Sequence, residues 1–200
     1  VLHKSNNMLT EMVRKNVTYL HLYNGFLENT SDEDEIQAYI EDAQKNTGFV
    51  DFYFLTYDGN YMTVTGETGY LGLQTNLDEK LAEGKDVVVN AALPGKPQML
   101  AFICPETQGS YRGFAYDAVA IAYYNDAVLR LLDGSAFQGN ASSYVIYPDG
   151  RVIIDNSVNR KQTIYNFIAM LRDHSDLSEE QITELSNAFV QNSSGNLRVK

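Results

Sequence analysis

The chain has 200 residues, 44% of them hydrophobic, with 26 Asp and Glu against 15 Lys and Arg and a formal net charge of -11. That length allows one large domain or two small ones, and that hydrophobic share is enough for a packed core. The acidity excludes nucleic acid and disfavours an anionic membrane surface as partners, because both are held by clustered Lys and Arg.

Residues 3–29 carry Leu9, Met12, Val13, Leu20, Tyr23 and Leu27 along one helical stripe. Thr30-Ser31-Asp32-Glu33 is a capping-box signal for a second helix, which turns Ile36, Tyr39, Ile40 and Ala43 inward and ends at Gly48. Strands are expected at 49–57 and 60–65 around the Asp58-Gly59 turn, where glycine takes positive φ without a Cβ clash. The segment containing Gly66, Gly69 and Gly72 reads as a loop. It lacks the Lys-Ser or Lys-Thr and the directly following helix of a phosphate-binding loop.

A short helix from Asn76–Glu79 to Gly84, a strand at Val87–Val89, a turn at Pro94–Pro97 and strands at 98–104 and 113–124 follow. Asn125 or Asp126 opens a helix through Leu132 that stops at Gly134. The expectation is an α+β unit: five antiparallel strands flanked by helices, with the long first helix packed in front. Alternation along 113–124 sets Ala118, Ala120 and Ala122 on one face. Small side chains allow close approach, so that face is assigned to the first helix. The other face carries Asp117, Val119, Ile121 and Tyr123, and a carboxylate there is costly unless paired.

A second hairpin, 143–155 around Asp149-Gly150, repeats the first. A helix is expected over 161–173, and Ser178-Glu179-Glu180-Gln181 is a capping box for a last one.

Few residues point to chemistry. Cys104 is the single cysteine and lies in an apolar run, so a buried, inert thiol is expected. His3, His21 and His174 have no metal-ligand spacing, and no cofactor or metal is expected. Arg112 lies among Tyr111, Phe114 and Tyr116, where its fork would clamp a carboxylate between aromatic walls, and Asp117 would hold an amine or hydroxyl. The apolar run 118–124 is too short to span a bilayer. The chain starts at Val1 inside a helical pattern and ends in what reads as the opening of a strand. It is therefore expected to be a piece of a longer protein.

Three strings, taken together, resemble the extracytoplasmic PAS-like sensor family called Cache, in its double form. They are Tyr53-Phe54-Leu55-Thr56-Tyr57-Asp58-Gly59-Asn60-Tyr61, then Val119 to Asp126 leading into Leu129, Leu131 and Leu132, and Ser143 to Ile153. The resemblance spans nearly the whole chain. It implies a signalling helix at 1–30, a distal ligand-sensing PAS-like unit at 31–135, and a second hairpin with helices at 136–200 forming a partial proximal unit. It further implies an ectodomain outside a bacterial membrane, flanked by transmembrane helices in the full protein. A homodimer through the first helix is expected, with a diguanylate cyclase or histidine kinase as output. The domain itself would be no enzyme. An unidentified small molecule would bind under the glycine loop, with Tyr53, Arg112, Tyr116, Asp117 and Tyr123 as its contacts and with Tyr53 and Tyr123 lining one cavity from neighbouring strands. The chain has no Trp, so it lacks the family's Arg-x-Trp-Tyr amino-acid signature. The alternatives are a ligand-free interaction or dimerisation domain and a hydrolase with an unrecognised carboxylate pair.

Overall fold

The computed structural model describes residues 2–73, 77–92, 98–129, 144–155 and 164–191. The chain divides into two compact units, Val1–Leu131 and Leu132–Lys200.

The first unit opens with α1 (Leu2–Leu27) and α2 (Glu33–Thr47). Asp32 caps α2, its carboxylate accepting from the backbone N–H groups of Asp34 and Glu35. Gly48 closes the helix at φ 77°, donating its N–H to the Gln44 carbonyl. The sheet consists of β1 (Asp51–Leu55), β2 (Asn60–Thr63), β3 (Thr68–Tyr70), β4 (Gly72–Leu73), β5 (Val87–Ala92), β6 (Met99–Tyr111) and β7 (Phe114–Tyr124). Its order is β3-β2-β1-β7-β6-β5-β4, with antiparallel pairing throughout. Helices α3 (Leu77–Ala82) and α4 (Asn125–Leu129) complete the unit.

The five expected strands are thus seven. The two additions, β3 and β4, come from the glycine segment that reads as a loop. Gly69 pairs with Tyr61, and a Cβ there would lie 2.7 Å from the Tyr61 hydroxyl, so a strand can form at that edge only around a bare backbone. Strand β6 also runs seven residues past its expected end at Cys104. It absorbs Pro105 at a register shift between Pro105 and Gly109, where a missing N–H is tolerated.

Directly opposed residues share a face of the sheet. Tyr53 opposes Ala120, Leu55 opposes Ala118, and Ala101 opposes Ala122. On the other face Phe52 and Phe102 flank Ile121, and Phe54 and Cys104 flank Val119. Helix α1 lies on this second, bulky face: Tyr23 meets Phe52 edge-on at 6.1 Å, Asn24 Nδ2 donates to Cys104 Sγ at 3.3 Å, and Tyr123 donates its hydroxyl to Asn16 Oδ1 at 2.8 Å. The expected assignment of the alanines to α1 is therefore reversed. An aromatic and β-branched ridge buries more apolar area against a helical stripe than methyl groups do, and burial is worth roughly 25 cal/mol per Å². The alanines instead cluster with Leu71 and Leu81 on the far side.

The second unit holds a hairpin of β8 (Tyr144–Ile146) and β9 (Val152–Asp155), turned through Gly150 at φ 84°. Helix α5 (Phe167–His174) is capped by Asn166, and α6 (Glu179–Val190) carries the expected capping box between Ser178 and Gln181. Arg172 joins the two helices through Glu179 at 2.9 Å.

Two outcomes check the assignment of faces. Ile121→Ala, a truncation inside the helix–sheet layer, is expected to lower stability by about 2–5 kcal/mol in chemical denaturation. Tyr123→Phe strands the buried Asn16 oxygen and is expected to cost about 1–3 kcal/mol. Burial pushes the Tyr123 hydroxyl up from 10.0 to about 12. The unfolded chain therefore loses this proton at lower pH than the folded one, and the associated stability falls as pH rises between those values. Alkaline denaturation of Tyr123→Phe should be shallower than that of the parent across that window.

Candidate functional site

The alanine face is the part of the first unit where polar groups and small side chains meet. Ala118, Ala120 and Ala122 from β7 and Ala101 from β6 form its floor, all of them buried. Tyr53, Leu71 and Leu81 are buried over it, and Tyr57 and Tyr61 pack at its margin. Alternation along β1 sends Asp51, Tyr53 and Leu55 to this face, opposite Ala122, Ala120 and Ala118.

Tyr53 is fully buried and donates its hydroxyl to Asp51 Oδ2 at 2.8 Å, while its ring meets Tyr61 edge-on at 5.0 Å. Burial, followed by the negative charge of Asp51, holds the Tyr53 hydroxyl protonated far above the ordinary phenol range. It is therefore a fixed O–H donor beside a carboxylate, an arrangement that can recognise an amine or a hydroxyl. Asp117 Oδ2 accepts the Tyr57 N–H at 3.2 Å, which ties this carboxylate to the turn after β1. The cost expected of a half-buried Asp117 is met by that bond.

Arg112 sits elsewhere. It occupies the β6–β7 turn at φ 49°, followed by Gly113 at φ 74°. Its guanidinium donates to Gln37 Oε1 at 2.8 Å, lies 3.8 Å from the Glu33 carboxylate and stacks over the Tyr111 ring at 5.3 Å. Arg112 and Tyr116 line an open polar cleft of about 550 Å³ with the end of α1 and the start of α2, including Glu28, Glu33 and Ile36. Tyr116 packs on Phe54 at 4.9 Å, and its ring covers Gly109, where no Cβ would fit.

The five residues singled out in the sequence therefore separate. Tyr53 stands on the alanine face, Asp117 is bonded to the turn after β1, Arg112 and Tyr116 share the polar cleft, and Tyr123 is bonded to α1. Tyr53 and Tyr123 do lie on neighbouring strands, but on opposite faces, and they line no common cavity. Asp51 and Tyr61 were not anticipated. The alternation Asp51-x-Tyr53-x-Leu55 carries the signal for the first, and Gly69 opposite Tyr61 carries it for the second.

No protein-family profile matches the chain, and no curated protein matches it by sequence. Solved structures do match. The extracellular domain of the putative histidine kinase mmHK1S-Z3 aligns with a TM-score of 0.58 at 11% identity, covering 96% of this chain and 79% of that one. The ligand-binding domain of the Campylobacter jejuni chemoreceptor Tlp3, in complex with 4-methylisoleucine, aligns with a TM-score of 0.53 at 8% identity over 80% of this chain and 69% of that one. The ligand-binding domain of the Pseudomonas aeruginosa PAO1 amino acid chemoreceptor PctC, in complex with GABA, gives 0.51 at 14% identity over 76% and 70%. At these identities the likeness is one of fold, and the fold is that of the ligand-binding sensor domains of bacterial chemoreceptors and histidine kinases, as the Cache resemblance implies.

Proposed function

We propose that this chain is the extracytoplasmic sensing region of a membrane-bound bacterial signalling protein and that it binds a small molecule bearing an amine or hydroxyl on the alanine face of the first unit. The observation that carries this reading is the floor of small side chains beside a buried phenol and the carboxylate it bonds, on a fold used by ligand-binding sensor domains. Tyr53 donates to the ligand or orients Asp51, and Asp51 balances a positive charge, while Asp117 holds the turn after β1. Arg112 and Tyr116 serve to fasten the β6–β7 turn to α2, and Tyr123 fastens the sheet to α1.

Signalling follows from the opposite face. Helix α1 rests on the ridge of Val119, Ile121 and Tyr123, on the same strand whose alternate residues would touch ligand. A ligand that prefers one position of β7 therefore biases the position of α1. One that binds both positions equally shifts nothing. Met8, Val13 and Leu22 are exposed on α1, which suits a homodimer through that helix. The full protein would carry flanking transmembrane helices and a histidine kinase or diguanylate cyclase output. This chain acts in it as a binding module, not as an enzyme.

A thermal-shift screen against small amines, amino acids, carboxylates and nucleobases tests the proposal. A true ligand at a hundred times its Kd adds about 2.7 kcal/mol. For a chain of this size that raises Tm by at least about 5 °C. Tyr53→Phe and Asp51→Asn should each weaken the response, and Arg112→Ala should preserve it. Absence of any saturable shift, or a shift indifferent to Tyr53→Phe and Asp51→Asn, would overturn the assignment.

A further inference from the structure

Three side chains that the sequence keeps far apart meet where α1 crosses the sheet. His21 comes from α1, Asp86 from the turn between α3 and β5, and Cys104 from β6. Their donor atoms all lie within 4.8 Å of one another. His21 Nε2 is 3.1 Å from Asp86 Oδ2 and 4.0 Å from Cys104 Sγ. Ligand atoms around one tetrahedral zinc stand roughly 3.3–3.8 Å apart, as bond lengths of about 2.0–2.3 Å require. Small rotations of the exposed His21 ring bring the three into that range without moving the backbone.

We propose that His21, Asp86 and Cys104 bind a single divalent transition-metal ion of the zinc class and that the ion clamps α1 to the sheet. One sulfur, one imidazole nitrogen and one carboxylate oxygen form a borderline-soft set. That excludes Ca²⁺ and Mg²⁺, which take oxygen ligands, and suits Zn²⁺ with water in the fourth position. The charges balance, because a thiolate and a carboxylate together neutralise the ion. Binding exchanges the S–H bond of Cys104 for a metal–sulfur bond and releases that proton to bulk water.

The surroundings favour the ligated form. The Asn24 amide donates to Cys104 Sγ at 3.3 Å, a contact that steadies a thiolate. The Asn24 amide oxygen is buried and makes no hydrogen bond among the described residues, an unmet demand of the kind that a metal-bound water satisfies. Access is one-sided: the Cys104 residue is 1% exposed, whereas the His21 side chain is 58% exposed, so the ion would enter from the His21 side. The alanine face lies across the sheet from this seam. The site is therefore separate from the proposed ligand position and would act on α1 directly.

Titration of the purified protein with Co²⁺, and with Zn²⁺ in competition against a chromophoric chelator, tests the proposal. The expected result is one metal per chain, a thiolate-to-cobalt charge-transfer band in the near ultraviolet, and release of one proton per Zn²⁺. His21→Gln and Asp86→Asn, both at solvent-facing positions, should keep the fold by circular dichroism and each weaken Zn²⁺ at least tenfold. Cys104→Ser should abolish the band. A titration with no charge-transfer band, or binding whose affinity is unchanged in His21→Gln, would overturn the site. Neither result bears on small-molecule binding at the alanine face.

Discussion

Alternation along β7 puts Ala118, Ala120 and Ala122 on one side of the sheet and Val119, Ile121 and Tyr123 on the other. A strand can bury both faces only if each meets a complementary surface, and the two surfaces here differ in kind. The bulky face takes α1. Phe52, Phe54 and Phe102 from the adjacent strands extend it into an aromatic ridge, on which the Tyr23 ring of α1 and the Tyr111 and Tyr116 rings of the β6–β7 hairpin come to rest. The slight face carries alanines. Leu71, Leu81 and the tyrosines close in over the alanines and bring the Tyr53–Asp51 pair with them.

The seam between α1 and the sheet is not wholly apolar. Asn16 accepts from Tyr123, Asn24 donates to Cys104, and His21 pairs with Asp86. Apolar contact alone permits a helix to slide with little preference, because burial has no direction. Hydrogen bonds do have direction, and a buried partner left without one is costly. These pairs therefore give α1 a register on the sheet, and a helix with a register can have two discrete positions for a signal to choose between. That is a physical requirement for transmission through a packed interface.

Much of this was legible in the residues. The Ser178 cap, the Gly48 stop and both Asp-Gly hairpins depend on local chemistry, and each formed where that chemistry placed it, whereas α2 is capped by Asp32 and not by Thr30, the residue that opens the Thr30–Glu33 box. The choice of face for α1 was not legible, because alternation shows that β7 has two faces without saying which neighbour covers which. The resolving quantity is apolar area summed over β1, β6 and β7, which depends on register. Strands β3 and β4 were hidden for a related reason: glycine suppresses a local strand signal, while the Tyr61 ring lying over Gly69 is a cross-strand fact. The separation of Tyr53 from Tyr123 follows from the same parity. The convergence of His21, Asp86 and Cys104 has no local signature, since the partners lie 65 and 83 residues from His21.

The central claim is that the two faces of one strand divide the work, one receiving ligand and the other holding α1. Methyl-resolved NMR on protein labelled at alanine, isoleucine and valine methyls, titrated with a compound found by its thermal shift, tests this most directly. The account predicts that the Ala118, Ala120 and Ala122 methyls shift first and most strongly, and that the Val119 and Ile121 methyls follow by smaller amounts as the ridge under α1 adjusts. Saturable shifts at Val119 and Ile121 with the alanine methyls unmoved would contradict it.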